Sequence, residues 1–379
     1  VLIPIIPTVI SSILGYLIKI VSSRFKFKKI MQTILSCTIF MGIFLLSFNF
    51  NNFISDIASK ATGINDMLTR IYYPVGAYVT LINKFDIVVL IKLLFINIIP
   101  FVLFILVGSR YYFKIISNSR DSVTRGNKRK KEVFKKNSSI MALTKKELKR
   151  YFSSVYMFNT IFGLLLIFVI TVFLCIKGDS VLDMFLNSEG IGDIDISMPI
   201  IYYVLVLFSC AMTSITSSSI SLEGRTINIT KSLPVSERGI LKSKIVYCYF
   251  IELPFILVSE FIFFIVFKVS FVDILLILGI GFVMVTLSSI VGLLVNLKYP
   301  KMNASSDTEV VKQSISSMIS VFIGMGIFIG SLIVGMLLYD KVYIYLLLGL
   351  HMVILLVVTI ILYIILMNKG TREYRNINV

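Results

Sequence analysis

Long apolar runs alternate with short polar stretches from one end of the chain to the other. Nine runs reach the ~20 residues that a helix needs to cross about 30 Å of hydrocarbon. They cover residues 1–21, 33–54, 87–108, 157–176, 198–221, 245–267, 273–297, 315–338 and 343–367. A transmembrane barrel would show alternating segments of about ten residues, whereas these runs are continuous. Backbone groups in lipid must bond within their own segment, so the pattern predicts helices. The fold class is therefore all-α: a polytopic integral membrane protein with about nine transmembrane helices.

The polar stretches predict short amphipathic helices at both surfaces. In 138–160, SSIMALTKKELKRYFSSVYMFNT, apolar Met141, Leu143, Leu148, Tyr151 and Phe152 alternate with Lys145, Lys146, Lys149 and Arg150. This reads as a basic amphipathic helix on a membrane face. Residues 55–86, with Ile57, Ile64, Met67, Leu68 and Ile71 at rough helical spacing, read as one or two short helices on the opposite surface. Residues 114–137 form a basic linker.

Charge orients this arrangement. Of 37 Lys and Arg, 29 fall in one alternating set of loops and tails and 6 in the other, with Lys19 and Lys92 inside spans. The richer set is expected to be cytoplasmic. It includes 22–32, 109–156, 222–244, 298–314 and the C-terminal tail. The first residue then lies outside. The opening VLIPIIPTVI has no basic stretch before it, so a signal peptide is not expected, and upstream spans are. The net charge of +17 follows from the same bias, and the basic run RGNKRKKEVFKK suits anionic lipid. No nucleic-acid-binding motif accompanies it, and nucleic acid is not expected as a partner.

The four cysteines, Cys37, Cys175, Cys210 and Cys248, lie in or beside apolar runs without CxxC spacing and read as packing residues. One histidine, His351, cannot build a multi-histidine metal site. There is no G-x-x-x-x-G-K-[ST] phosphate loop. The chain is not expected to be an enzyme, and no cofactor of its own is expected. Glu252 and Glu260 flank Pro254 within 245–267, on one side of a helix. They read either as the lining of a polar pathway or as interhelical hydrogen-bonding groups. His351 reads as a proton relay or as a packing residue with one interhelical hydrogen bond. Gly326 and Gly330 form a GxxxG pair of the kind found at close helix contacts.

The segment 222–244, LEGRTINITKSLPVSERGILKSK, carries the most functional information. Pro234 restricts its backbone, and Ser236 is placed to cap the helix that follows. Leu233 and Val235 are available as apolar knobs for a partner, although a capped loop held by lipid head groups accounts for the same residues.

This segment resembles a cytoplasmic loop of ABC-2-type transporter permeases, particularly a group of large Gram-positive putative exporter permeases. The resemblance lies in the Glu223-Gly224-Arg225 group, the Lys-Ser-Leu-Pro-Val-Ser turn over 231–236 and the lysine-bearing helix after it. Two further stretches look like the same group: the amphipathic segment from 138, and KYPKMNASSDTEVVKQSISS, with Glu309, Lys312 and Gln313 in order. The resemblance covers about 138–379, with weaker similarity in 1–30. It implies a six-span permease unit over 138–379, with 1–113 as the last three spans of an earlier unit. It also implies a separate ABC ATPase that binds the ATP and magnesium. That subunit would dock through Glu223, Gly224, Arg225, Lys231, Leu233, Pro234 and Ser236, with Glu309, Lys312 and Gln313 on a second loop. A bacterial plasma-membrane location, export and possible pairing with a second permease copy are further implications. A competing reading is an ion-coupled secondary transporter, for which Glu252, Glu260 and His351 would be the coupling groups.

Overall fold

The computed structural model describes residues 5–23, 31–32, 35–36, 38–39, 42–43, 73–83, 85–120, 138–153, 156–186, 197–338 and 341–377. Most of the expected span 33–54, the segment 55–72 and the linker residues 121–137 lie outside them. The chain divides into two compact units, Val1–Lys135 and Lys136–Val379.

In the first unit, α1 (Ile5–Ser23) and α2 (Tyr73–Asn83) both pack on α3 (Ile87–Arg120). α3 passes through Pro100 and runs on to Arg120, well beyond the expected span end at 108. The buried side chains of this unit include Ala77, Leu93 and Asn97, whose amide donates to the Leu93 carbonyl at 2.9 Å.

The second unit holds α4 (Ser139–Ser153), α5 (Tyr156–Leu186), α6 (Met198–Met212), α7 (Ile227–Lys231), α8 (Glu237–Phe267), α9 (Phe271–Lys298), α10 (Asp307–Lys312), α11 (Ile315–Leu338), α12 (Ile344–Ile365) and α13 (Thr371–Asn376). Over both units, seven segments are long and apolar enough to cross a membrane among the described residues, counting the interrupted Met198–Gly224 as one, with a shorter apolar stretch at Gly163–Ile176 in α5. The described part of the chain is helical and turn structure throughout. The faces of α11 and α12 turned away from the core expose Phe322, Met336, Ile354 and Ile361, as helices solvated by lipid do.

Local chemistry fixes the helix ends. Ser236 accepts from the Gly239 amide at 3.2 Å and starts α8, the role its position predicts. Lys268 closes α8 in the left-handed region, with φ 46. Two residues later Ser270 and Asp273 form a capping box that opens α9. The short turn makes α8 and α9 antiparallel neighbours. Their packing with α6 buries Tyr202, Val206, Phe263, Ile280 and Met284.

The expected span 198–221 is not one helix. α6 stops at Met212 after 15 residues, about 22 Å and short of the hydrocarbon thickness. Thr213 is extended, and the chain continues as short 3-10 turns over Thr216–Ser218 and Ser221–Thr226. The run TSITSSSIS explains the break: Ser and Thr hydroxyls offer the backbone alternatives to the helical ladder. The Thr213 hydroxyl donates to the Ser209 carbonyl at 2.8 Å, Ser217 to Ser214 at 2.8 Å and Ser219 to Thr216 at 2.9 Å.

This broken segment is buried, and Asn296 of α9 binds it. Asn296 Oδ1 accepts from the amides of Ile220 (2.8 Å) and Ser221 (3.2 Å), and its Nδ2 donates to the hydroxyls of Ser221 (2.7 Å) and Ser316 (3.1 Å). The Thr216 hydroxyl also donates to the Ser289 carbonyl at 2.7 Å. Two glycines allow the close approach. A Cβ on Gly292 would strike Thr216 and the Ser217 amide, and one on Gly324 would strike the Ala211 carbonyl. The expected Gly326/Gly330 contact is not the close one: both face open space, and Gly324, two residues before Gly326 and on the other side of the helix, makes the approach.

Asn296→Leu strands the Ile220 and Ser221 amides, at a cost of about 1–3 kcal/mol for each unmet buried donor. Thermal unfolding of the purified chain in detergent will show a marked drop in Tm. Gly324→Ala will lower it too, through overpacking of about 1–3 kcal/mol.

Candidate functional site

The segment 222–244 forms one end of the second unit, here called the basic end, and its two halves behave differently. The first half is internal. Glu223, expected on a docking surface, is only 2% exposed. Its carboxylate meets Lys244 Nζ at 2.6 Å, and Lys244, at 0% exposure, also holds Glu147 at 3.1 Å and donates to the Ser219 carbonyl at 3.1 Å. One buried ammonium thus joins α4, the broken segment and α8. A charge removed from water requires such partners, because an uncompensated buried ion costs several kcal/mol.

Glu147 reaches Lys244 because α4 turns Leu143, Thr144, Glu147 and Tyr151 inward, leaving Lys145, Lys149, Met141 and Phe152 exposed. The buried stripe therefore differs from the purely apolar one expected, since Met141 and Phe152 lie outside it and a carboxylate lies within it. Lys146 Nζ donates to the Thr230 hydroxyl at 2.8 Å, tying α4 to α7 as well.

Gly224 sits beside Glu223 with φ 48 and ψ −134, a conformation open only to glycine. It turns the chain so that Glu223 points inward while Thr226, Asn228, Ile229 and residues 232–234 come to the surface. Only the backbone of Arg225 lies within the described structure, so the position of its side chain falls outside it.

The second half is external. Ile229 is 65% exposed and Leu233, one helical turn on, is 40% exposed; Pro234 follows, also exposed. Exposed apolar side chains are usual on lipid-facing helices. Here they stand on a short polar turn among Asn228, Ser232, Arg238 and Lys242, all exposed. Val235 is half-buried and packs on the core below, so it is not a free knob. Ile229 was missed by sequence reasoning, although its i, i+4 spacing to Leu233 could have found it.

The base of this turn is clamped by the C-terminal segment. Lys231 Nζ donates to the carbonyls of Arg375 (3.0 Å) and Ile377 (2.6 Å), and lies 5.7 Å from the centre of the Tyr374 ring. Arg375 pairs with Glu237 at 2.9 Å. Lys231 therefore serves an internal bond rather than an open surface. A five-residue π-helical stretch, Leu366–Gly370, joins α12 to α13 and brings the tail back across the basic end.

The second loop lies against the first. The Lys301 amide donates to the Ser221 hydroxyl at 2.9 Å, and the Met302 carbonyl closes over Gly224. Glu309 accepts from the Ser305 amide (2.9 Å) and hydroxyl (2.8 Å) and pairs with Lys301 at 2.8 Å. The Lys301 contact, and then the Ser305 bonds, hold its carboxyl below the usual carboxylate range. Lys312 and Gln313 are exposed on the same loop.

The intramembrane candidates lie elsewhere. His351 of α12 bonds through both ring nitrogens, Nδ1 with the Tyr203 hydroxyl at 3.0 Å and Nε2 with the Ser331 hydroxyl at 2.8 Å. It joins α6, α11 and α12 by two bonds where one was expected. Glu252 and Glu260 are buried in α8. Among the described residues no group of three or more His, Cys, Asp or Glu is arranged to hold a metal ion.

A family described as "Membrane protein of 12 TMs" matches residues 1–364. The chain belongs to this family and is a multi-pass membrane protein. No curated protein and no solved structure matches it.

Lys244→Met removes the ammonium from two buried carboxylates and will destabilise the second unit by about 3–5 kcal/mol, measurable as lower Tm and lower yield in membranes. Ser236→Ala, which removes only a cap, will cost about 1 kcal/mol in the same measurement.

Proposed function

We propose that the chain is the transmembrane permease subunit of an ATP-driven ABC transporter, acting as an exporter and coupled to a separate ATPase at its basic end. The observation that carries this reading is the exposed apolar pair Ile229 and Leu233, set beside Pro234 on a polar turn whose base is rigidly held. A docking element must present an apolar knob to a partner and must pass movement into the spans. The turn has the knob, and Ser236 starts α8 two residues after Pro234. The Lys244 network and the Lys231 clamp resist bending at the base.

In this reading the basic end is cytoplasmic in a bacterial plasma membrane, consistent with the 29-to-6 division of basic residues. The partner binds ATP and magnesium. ATP-driven closure of the ATPase displaces the turn, and the spans alternate access. Lys312 and Gln313 extend the contact on the second loop. Glu223 supports it from below rather than touching the partner.

A tagged chain purified from its native membrane will capture an ATPase subunit. Leu233→Asp and Ile229→Asp place a charge in the contact and will weaken capture by tenfold or more, about 1.4 kcal/mol or above, with the unfolding temperature unchanged. Full capture by the double variant would overturn the docking assignment.

A further inference from the structure

Glu252 and Glu260 lie in the middle and second half of α8, eight residues apart. That is about 12 Å along the axis and within about 80° around it. Both turn into the bundle, at 0% and 1% exposure. Apart from the weakly donating Cys248 thiol beside Glu252, their four carboxyl oxygens have no hydrogen-bond partner among the described residues. By contrast, Asn296 makes four hydrogen bonds and His351 two.

Among the described residues, the surroundings of both carboxyls hold no counter-charge. The titratable groups close enough to feel Glu252 are Cys248 and Tyr249 of its own helix, Cys210 of α6 and Tyr151 of α4. Those around Glu260 are Tyr202 and Cys210 of α6. All are neutral acids. α9 presents Gly281, where a Cβ would come within 2.7 Å of Glu260 Oε1, so the neighbouring helix leaves room for the carboxyl without offering it a charge. The lysines nearest along α8 lie eight residues off: Lys244 from Glu252, committed to Glu147 and Glu223, and the C-cap Lys268 from Glu260.

A bare carboxylate at the centre of a span costs about 2.5–3.5 kcal/mol even on insertion scales that allow relaxation. A leucine would fill the same space without that cost and without an unmet polar group. What a carboxyl can do that a leucine cannot is take up and release a proton.

We propose that Glu252 and Glu260 are a proton-binding pair inside the bundle, protonated while buried as described here and emptied when α8 becomes wetted. The step is RCOO⁻ + H⁺ → RCOOH at each side chain, with the proton drawn from and returned to water. The proposal does not depend on the ATPase reading and would hold for a transporter of either energy source.

The test uses the full chain in lipid vesicles, with Glu252→Gln and Glu260→Gln as neutral replacements of the same shape. Infrared spectroscopy at neutral pH will show a protonated-carboxyl C=O band, and each replacement will remove its share. The band will shift in heavy water, because the protons exchange with solvent. The apolar reagent dicyclohexylcarbodiimide, which attacks protonated carboxyls, will label both positions, and labelling will fall several-fold as the pH is raised. Absence of the band and of the adducts, with the Gln variants melting as the parent does, would overturn the proposal. A band that never shifts in heavy water would overturn it as well, by showing sealed structural groups. Protection from labelling by added sodium or potassium at fixed pH would replace the proton site with a metal-cation site. ATPase capture measured on the same variants is a separate readout and will be unchanged.

Discussion

Backbone polar groups inside a lipid-embedded protein must find partners within the protein, and the second unit is arranged around a buried stretch where its helical ladder fails. α6 ends at Met212, and the chain from Thr213 to Glu223 continues in short 3-10 turns rather than an α-helical ladder, almost wholly buried. Serine and threonine hydroxyls take up some of the released carbonyls. Asn296 takes up two released amides, and Gly292 and Gly324 let the neighbouring helices come close enough to shield the rest. Helix packing in lipid gains little from the hydrophobic effect, so such fitted polar contacts and small-residue approaches carry much of the specificity.

The same segment delivers Glu223 to Lys244. That ion triad lies where α4, the broken segment and α8 converge, and it fixes their mutual register. Buried ion pairs are seldom a large net source of stability, but losing one member leaves a charge without a partner. The surface turn above it thus rests on groups that cannot rearrange cheaply, and the C-terminal segment closes the remaining side through Lys231. Belonging to a family of 12-span membrane proteins fits the span-after-span construction of the described helices.

Hydropathy located the spans because helix length and apolarity are local properties. Ser236 was legible for the same reason: a serine before a glutamate at a run's start is a cap wherever it occurs. The break in 198–221 was harder to see, since the run of serines and threonines is apolar enough on average to pass as helix, and its bonds are made to residues 73 to 76 positions away. Glu147 and Glu223 meet Lys244 across 97 and 21 positions, and nothing in their spacing announces it. The surface was misjudged for this reason: Glu223 and Lys231 look like free loop charges in the sequence, while Ile229 looks like an ordinary loop aliphatic. Gly326 and Gly330 carried the familiar spacing, but a motif does not specify which face of its helix meets a neighbour.

α8 is one uninterrupted helix from Glu237 to Phe267, about 46 Å long at 1.5 Å per residue. Its first turn adjoins the exposed apolar knob, and its interior carries both carboxyls. A rod of this kind transmits displacement with little stretching, since its turns are tied by backbone hydrogen bonds, save at Pro254, which has no N–H to give. A screw-like rotation imposed at one end would swing Glu252 and Glu260 through the same arc together. The distance between the turn and Glu252 is thus spanned by a single mechanical member, and its weakest point, Pro254, lies between the two carboxyls.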